Sequence, residues 1–158
     1  MDVLTKEQRR RNMQAIRSKE TKMEVVLAKT LWQRGHRYRK NNKTVFGKPD
    51  FTFKKYKIAI FIDSEYFHGK DWEKNKHRIQ TNQQFWWDKI ESNMRRDLKV
   101  INTLKEKRWI VIRFWSEEIR KNLANCIHAI ESALDLRKNE EPIFPAERTI
   151  ENRSNRKE

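Results

Sequence analysis

The stretch Ile58-Ala59-Ile60-Phe61-Ile62 constrains this chain more than any other. Five consecutive apolar residues suit a strand covered on both faces, because a strand with one wet face alternates apolar and polar side chains. Periodicity alone does not separate such a run from a buried helix segment. Extended segments are predicted before it, around Tyr38 and at Asp50 to Phe53, with Gly47-Lys48-Pro49 as the turn between them. A further buried strand is predicted at Trp109 to Phe114.

Strands buried on both faces need helices to cover them, and the flanking sequence supplies the patterns. Thr5 with Gln8 reads as a capping box opening a short basic helix to about Arg17, with little apolar surface. Thr21 with Glu24 opens a second helix, where Met23, Leu27, Ala28 and Leu31 recur at helical spacing until Gly35. Asn82 is expected to cap a long helix to about Lys107, whose stripe of Trp86, Ile90, Asn93, Asp97, Ile101 and Leu104 is interrupted by its two polar members. Ser116 is expected to cap a last helix carrying Ile119, Leu123, Ile127 and Ile130. The predicted order is α-α-β-β-β-α-β-α, an α/β fold with a mixed sheet flanked by helices. Residues 63–82 are expected to form a loop long enough to be functional. The predicted organisation is a basic helix over 1–18, a single domain over 19–136, and a charged, mobile tail over 137–158.

Charge decides the class of partner. A formal net charge of +15 favours a polyanion, since each phosphate neutralised by Lys or Arg releases condensed counterions. A ribosome-associated protein or a basic soluble surface has the same composition, so catalytic residues must separate the readings. The single cysteine, Cys126, excludes an internal disulfide framework and thiolate-rich zinc sites, and suits a reducing cytosol. No apolar run is long enough to span a bilayer, and the expected location is cytoplasmic. Three glycines are too few for a phosphate-cradling nucleotide loop.

Asp50 stands at the entrance to one predicted strand and Asp63 just beyond the end of the next, so paired strands can bring both carboxylates together around a hard cation such as Mg2+. Asp after Pro is also common turn chemistry. Glu24 shares the inward face of its helix with Leu27 and Leu31, although capping explains it equally. His68 follows the central strand, and a near-neutral imidazole can take a proton from water attacking phosphorus. Asp97, on the polar break of the long helix, is the candidate acceptor that would fix its tautomer; the competing reading is a surface charge in Arg95-Arg96-Asp97. Tyr66, Phe67, Trp86 and Trp87 fit wedges that unstack base pairs, while ordinary packing accounts for Trp86.

These blocks together resemble the very short patch repair endonucleases, the Vsr family of mismatch nickases, from about Thr5 to Ile130. The markers are Arg11-Asn12-Met13 with Ala15-Ile16, Gly47-Lys48-Pro49-Asp50-Phe51, Ile60-Phe61-Ile62-Asp63 leading to Tyr66-Phe67-His68, Thr81-Asn82 with Phe85-Trp86, Lys89-Ile90, Asn93, Arg96-Asp97, and Trp109 with Trp115. The resemblance implies a fold related to the PD-(D/E)xK nucleases and nicking of double-stranded DNA beside a T:G mismatch left by 5-methylcytosine deamination. It implies Asp50 and the Ile62 carbonyl as contacts to Mg2+, expected as two ions, with Glu24 and Asp63 in support, His68 as base and Asp97 as its partner. It further implies Tyr66, Phe67 and Trp86 as intercalating rings, and Arg9, Arg10, Arg11, Asn12, Met13, Arg17, Asn93 and Arg96 as DNA contacts. A DNA cytosine methyltransferase and mismatch-repair proteins are the expected functional partners, and the chain is expected to be a monomer.

The sequence also departs from the family pattern. Glu65, Lys70, Trp72 and Glu117 stand where zinc ligands are frequent, so structural zinc is not expected, and Glu65 and Glu117 are predicted to pair with Lys70 instead. Asp63 replaces a histidine, adding negative charge and removing a phosphate donor. Tyr66-Phe67 stands where Phe-Trp is usual. Two other readings follow: a related nuclease for restriction or mobile-element cleavage, and a catalytically silent DNA-binding protein.

Overall fold

The computed structural model describes residues 4–15 and 21–140, with only the backbone of residues 13–15. The side chain of Met13, Arg17, and the tail beyond Glu140 lie outside the described residues. Helix α1 spans Lys6–Ala15 and α2 spans Lys22–Gln33; strands β1 (Arg39–Lys40), β2 (Phe51–Phe53) and β3 (Ile58–Asp63) follow. Then come α3 (Trp72–Asn75), α4 (Gln83–Glu106), β4 (Ile110–Trp115), α5 (Ser116–Lys121) and α6 (Leu123–Asn139). Among the described residues no helix is long and apolar enough to cross a membrane.

The four strands lie in the order β1-β2-β3-β4, the first two pairings antiparallel and the β3–β4 pairing parallel. The apolar run is therefore central. Its two-residue period divides it between two cores: Ile58 and Ile60 pack with Leu27 and Leu31 of α2, Ile119 of α5 and Ile127 and Ile130 of α6. Ala59 and Phe61 face the other way, onto Val100 and Leu104 of α4. Both faces are covered, which explains why the run needs no polar member.

Capping chemistry agrees in part with the sequence. The Thr5 amide donates to Gln8 Oε1 at 2.9 Å and the Gln8 amide to Thr5 Oγ1 at 3.2 Å, a reciprocal box that holds α1, which has no buried side chain among those described. At α2 the Glu24 amide donates to Thr21 Oγ1 at 3.4 Å. Asn82 precedes α4 in the left-handed region at φ 50° and makes no side-chain cap, contrary to expectation. Ser116 begins α5 without capping it; its hydroxyl donates to the Asp63 carbonyl at 3.2 Å, tying β3 to β4. The predicted last helix breaks at Asn122 into α5 and α6. The predicted 63–82 loop contains α3 and a 3-10 turn at Lys76–Arg78, anchored by the buried Trp72, whose indole donates to Glu91 at 3.1 Å. In α4 the fully buried positions are Ile90, Val100 and Leu104, a slight rotation from the predicted stripe.

Candidate active site

The site lies at the carboxyl end of the parallel pair β3–β4, where the α4 stripe turns polar. Asp63 and Arg113 continue the α4-facing rows of β3 and β4 beyond Phe61 and Val111, and Asp97 looks down on them from α4. His68 arrives from the loop after β3. Its Nδ1 lies 2.6 Å from Asp97 Oδ2. An ionised carboxylate only accepts, so this contact places a proton on Nδ1, and in the neutral imidazole the lone pair then lies on Nε2.

Local backbone features fix this geometry. The His68 amide donates to the Ser64 carbonyl at 3.1 Å, and Asn93 Nδ2 donates to the Phe67 carbonyl at 3.0 Å. Gly69 follows at φ +69°, and a Cβ there would stand 2.5 Å from Met94 Sδ, so only glycine lets the loop lie against α4 without displacing that side chain. Asn93 thus holds the loop that carries His68.

Asp50 enters from the β2 side. The β2–β3 ladder ends at Phe51 opposite Ile60, and beyond that end the Ile62 amide donates to Asp50 Oδ2 at 2.7 Å. In a strand the carbonyl and amide of one residue face the same edge, so the Ile62 carbonyl faces the notch that Asp50 occupies. Burial pushes the Asp50 carboxyl up to about 6; the Ile62 hydrogen bond opposes this, the charges of Glu24 and Asp63 add to it, and Arg113 opposes it. Glu24 is buried, as its place on the inward face of α2 predicts. A carboxylate raised first by burial and further by neighbouring acids would be relieved by a cation, and Asp50 with the Ile62 carbonyl are the groups that would hold one. Among the described residues no group of three or more His, Cys, Asp or Glu has metal-holding spacing.

Asp63 has a partner that sequence reading missed. Arg113 Nε and Nη2 each lie 2.7 Å from its two oxygens, so both are engaged by the guanidinium. A single Arg inside the apolar run Ile110-Val111-Ile112-Arg113-Phe114-Trp115 was the available signal.

Beside this centre is an open cleft of about 1350 Å³, lined among others by Arg9, Arg10 and Asn12 of α1 and by Tyr66, Phe67 and Trp86. The rings form one cluster: Tyr66 meets Phe67 at 5.1 Å and Trp86 at 5.8 Å between centroids, and the exposed Phe85, unassigned from sequence, meets Trp86 at 5.3 Å. Trp87 is separate, its indole bonded to the Lys76 carbonyl. Arg11 pairs with Glu7 at 3.3 Å on an exposed face, and Arg96 is exposed on α4.

The loop that bears the rings is tied to α5 differently from the prediction. Glu65 Oε1 accepts from the Glu117 amide at 2.7 Å, and among the described residues only Glu117 approaches Lys70 Nζ, at 3.9 Å. Glu117 is also held by Lys121 at 2.7 Å, which lowers its pKa.

Comparison with known proteins decides the family. Residues 1–74 match the family described as DNA mismatch endonuclease Vsr. A type II nicking enzyme of Neisseria meningitidis serogroup C, V.NmeDIP, is 52% identical over 134 residues, 85% of this chain and 90% of that protein. This chain belongs to the Vsr endonuclease family. A second nicking enzyme, V.HpaIIP of Haemophilus parainfluenzae, is 53% identical over 123 residues, 77% of this chain and 87% of that protein. The DNA mismatch endonuclease Vsr of Escherichia coli is 32% identical over 123 residues, covering 75% of this chain and 76% of that protein. The mixed sheet between helices is the fold this Vsr relationship requires.

Proposed function

We infer that this Vsr-family protein nicks one strand of duplex DNA by metal-assisted hydrolysis, beside a T:G mispair of the kind 5-methylcytosine deamination leaves. The carrying observation is the 2.6 Å contact of His68 Nδ1 with Asp97, next to half-buried Asp50 and at the edge of a basic, ring-lined cleft. Asp97 orients the imidazole, and His68 Nε2 takes a proton from the attacking water. Asp50 and the Ile62 carbonyl are the residues to hold Mg2+, which when bound neutralises charge developing on the phosphate. Arg9 and Arg10 clamp the backbone, giving affinity and salt dependence rather than sequence information. Tyr66, Phe67 and Trp86 insert beside the weakened pair, where unstacking costs least. The Glu117 amide bond to Glu65 and the Trp72 indole bond to Glu91 are the contacts that support this loop where zinc ligands are frequent in the family.

A second reading is site-specific nicking of matched DNA, favoured by the name type II nicking enzyme carried by both relatives above 50% identity. One experiment addresses both. Mg2+-dependent nicking is measured on matched and T:G duplexes in several sequence contexts with wild type, Asp50→Ala and His68→Ala. The expected result is nicking of T:G duplexes by wild type alone, with DNA binding retained in both variants. Cleavage of matched DNA at one sequence selects the second reading, and wild-type rates in either variant refute the assigned roles. Absence of any cleavage by wild type leaves a DNA-binding protein. A neighbouring gene for a cytosine methyltransferase would support the repair role.

A further inference from the structure

We propose that Arg113 is a positioning residue that decides which carboxylate holds the base. Two acids compete for His68: Asp97 Oδ2 lies 2.6 Å from Nδ1, and Asp63 Oδ1 lies 3.6 Å from the same nitrogen. An imidazole bonded to Asp63 would turn its Nε2 in another direction. Arg113 removes the competitor by taking both oxygens of Asp63 in a fork at 2.7 Å. Its Nη2 also reaches Asp97 Oδ1 at 3.3 Å, leaving Oδ2 for the histidine. The guanidinium lies 4.4 Å from the Phe61 ring centroid, so its plane is set by packing as well as by charge.

The cost of this arrangement is visible. Among the described residues Arg113 Nη1 is buried with no hydrogen-bond partner. Asp63 and Arg113 therefore function as a unit: the acid that stands where the family pattern has a histidine is tolerable because this chain also has a cation on the next strand. Removing the cation alone frees Asp63 to draw His68 away and leaves two uncompensated acids beside it. Removing both charges restores Asp97 as the unchallenged partner.

This inference rests on His68 being the base, and the test separates the two. Single-turnover nicking at saturating T:G duplex, DNA affinity, and the His68 imidazole NMR signals are measured for Arg113→Met, Asp63→Asn, the double variant and His68→Ala. Arg113→Met is expected to lower the rate by roughly 10- to 100-fold with little change in affinity, and to move the Nδ1 proton signal. The double variant is expected to recover about tenfold over Arg113→Met and to return the signal, because replacing both members of a buried ion pair is tolerated better than removing one. If Arg113→Met does not fold, Arg113→Lys, which keeps the charge but cannot fork, carries the same expectation. A double variant as slow as the single, or Arg113→Met at the wild-type rate while His68→Ala is inactive, overturns the role of Arg113 alone. A fully active His68→Ala overturns the underlying assignment.

Discussion

Replacing Asp50 by Asn should abolish nicking and, in the absence of metal, make the protein more stable. Folding weakens this carboxyl as an acid, from an ordinary 3.8 to about 6. Well below pH 3.8 the folded and unfolded chains both hold the proton; well above about pH 6 neither does. The cost of the buried charge therefore grows between these values and is complete above them. At 1.36 kcal/mol per pH unit, the difference between 3.8 and about 6 amounts to about 3 kcal/mol. Asn keeps an oxygen for the Ile62 amide, so that hydrogen bond survives while the charge is removed. In chelator at pH 7.5 we expect Asp50→Asn to gain roughly 1 to 3 kcal/mol, a rise in Tm of about 3 to 10 °C for a chain of this size. At pH 4 most of this advantage should be lost. Adding Mg2+ should raise the Tm of wild type and leave that of the variant unchanged. Paired thermal melts across this pH range, with chelator and with Mg2+, give the answer. An advantage that persists undiminished at pH 4, or no advantage at pH 7.5, would refute the argument that Asp50 is a charge awaiting a cation.

Gly47→Ala should cost roughly 2 to 4 kcal/mol in urea unfolding and slow nicking, because its Cβ would stand 2.4 Å from Val100 Cγ1 at φ +82°, three residues before Asp50. A loss below about 0.5 kcal/mol would show that the turn relaxes freely. Tyr66→Ala should reduce the preference for T:G over matched duplex by roughly tenfold while leaving the fold intact, measured as a ratio of nicking rates. An unchanged ratio removes Tyr66 from the wedge. Lys70→Glu should change stability by less than about 1 kcal/mol, since its carboxylate contact among the described residues is 3.9 Å away and Glu117 has closer cations in Arg120 and Lys121. A larger loss would restore the ion pair first expected to hold this loop.

The legible parts of this protein were those governed by short-range rules. The run from Ile58 to Ile62 announced a central strand because burial on both faces leaves no room for polar alternation, and β3 is that strand. The polar break at Asn93 and Asp97 marked where α4 passes from core to site. Asn82 and Ser116 misled because a capping residue type does not ensure capping geometry: Asn82 adopts a left-handed backbone, and the Ser116 hydroxyl has a better acceptor across the sheet. The break at Asn122 and the α3 turn correspond to no interruption in the apolar periodicity read from the sequence. The role of Arg113 was hidden for a different reason: its place in an apolar run marks it, but its meaning depends on Asp63, fifty residues earlier, and strand register brings them side by side.

The tether from Asn93 to the Phe67 carbonyl has a mechanical consequence. Asn93 and Asp97 are one helical turn apart on α4; the first grips the backbone of a ring in the cleft, the second the imidazole of the very next residue. Ring and base are thus clamped to one rigid rod at adjacent points and cannot be displaced independently. On the proposed roles, a duplex that refused the ring would push the imidazole off its line of attack with the same movement. Discrimination between substrates would then register in the turnover of bound DNA rather than in how tightly DNA is held.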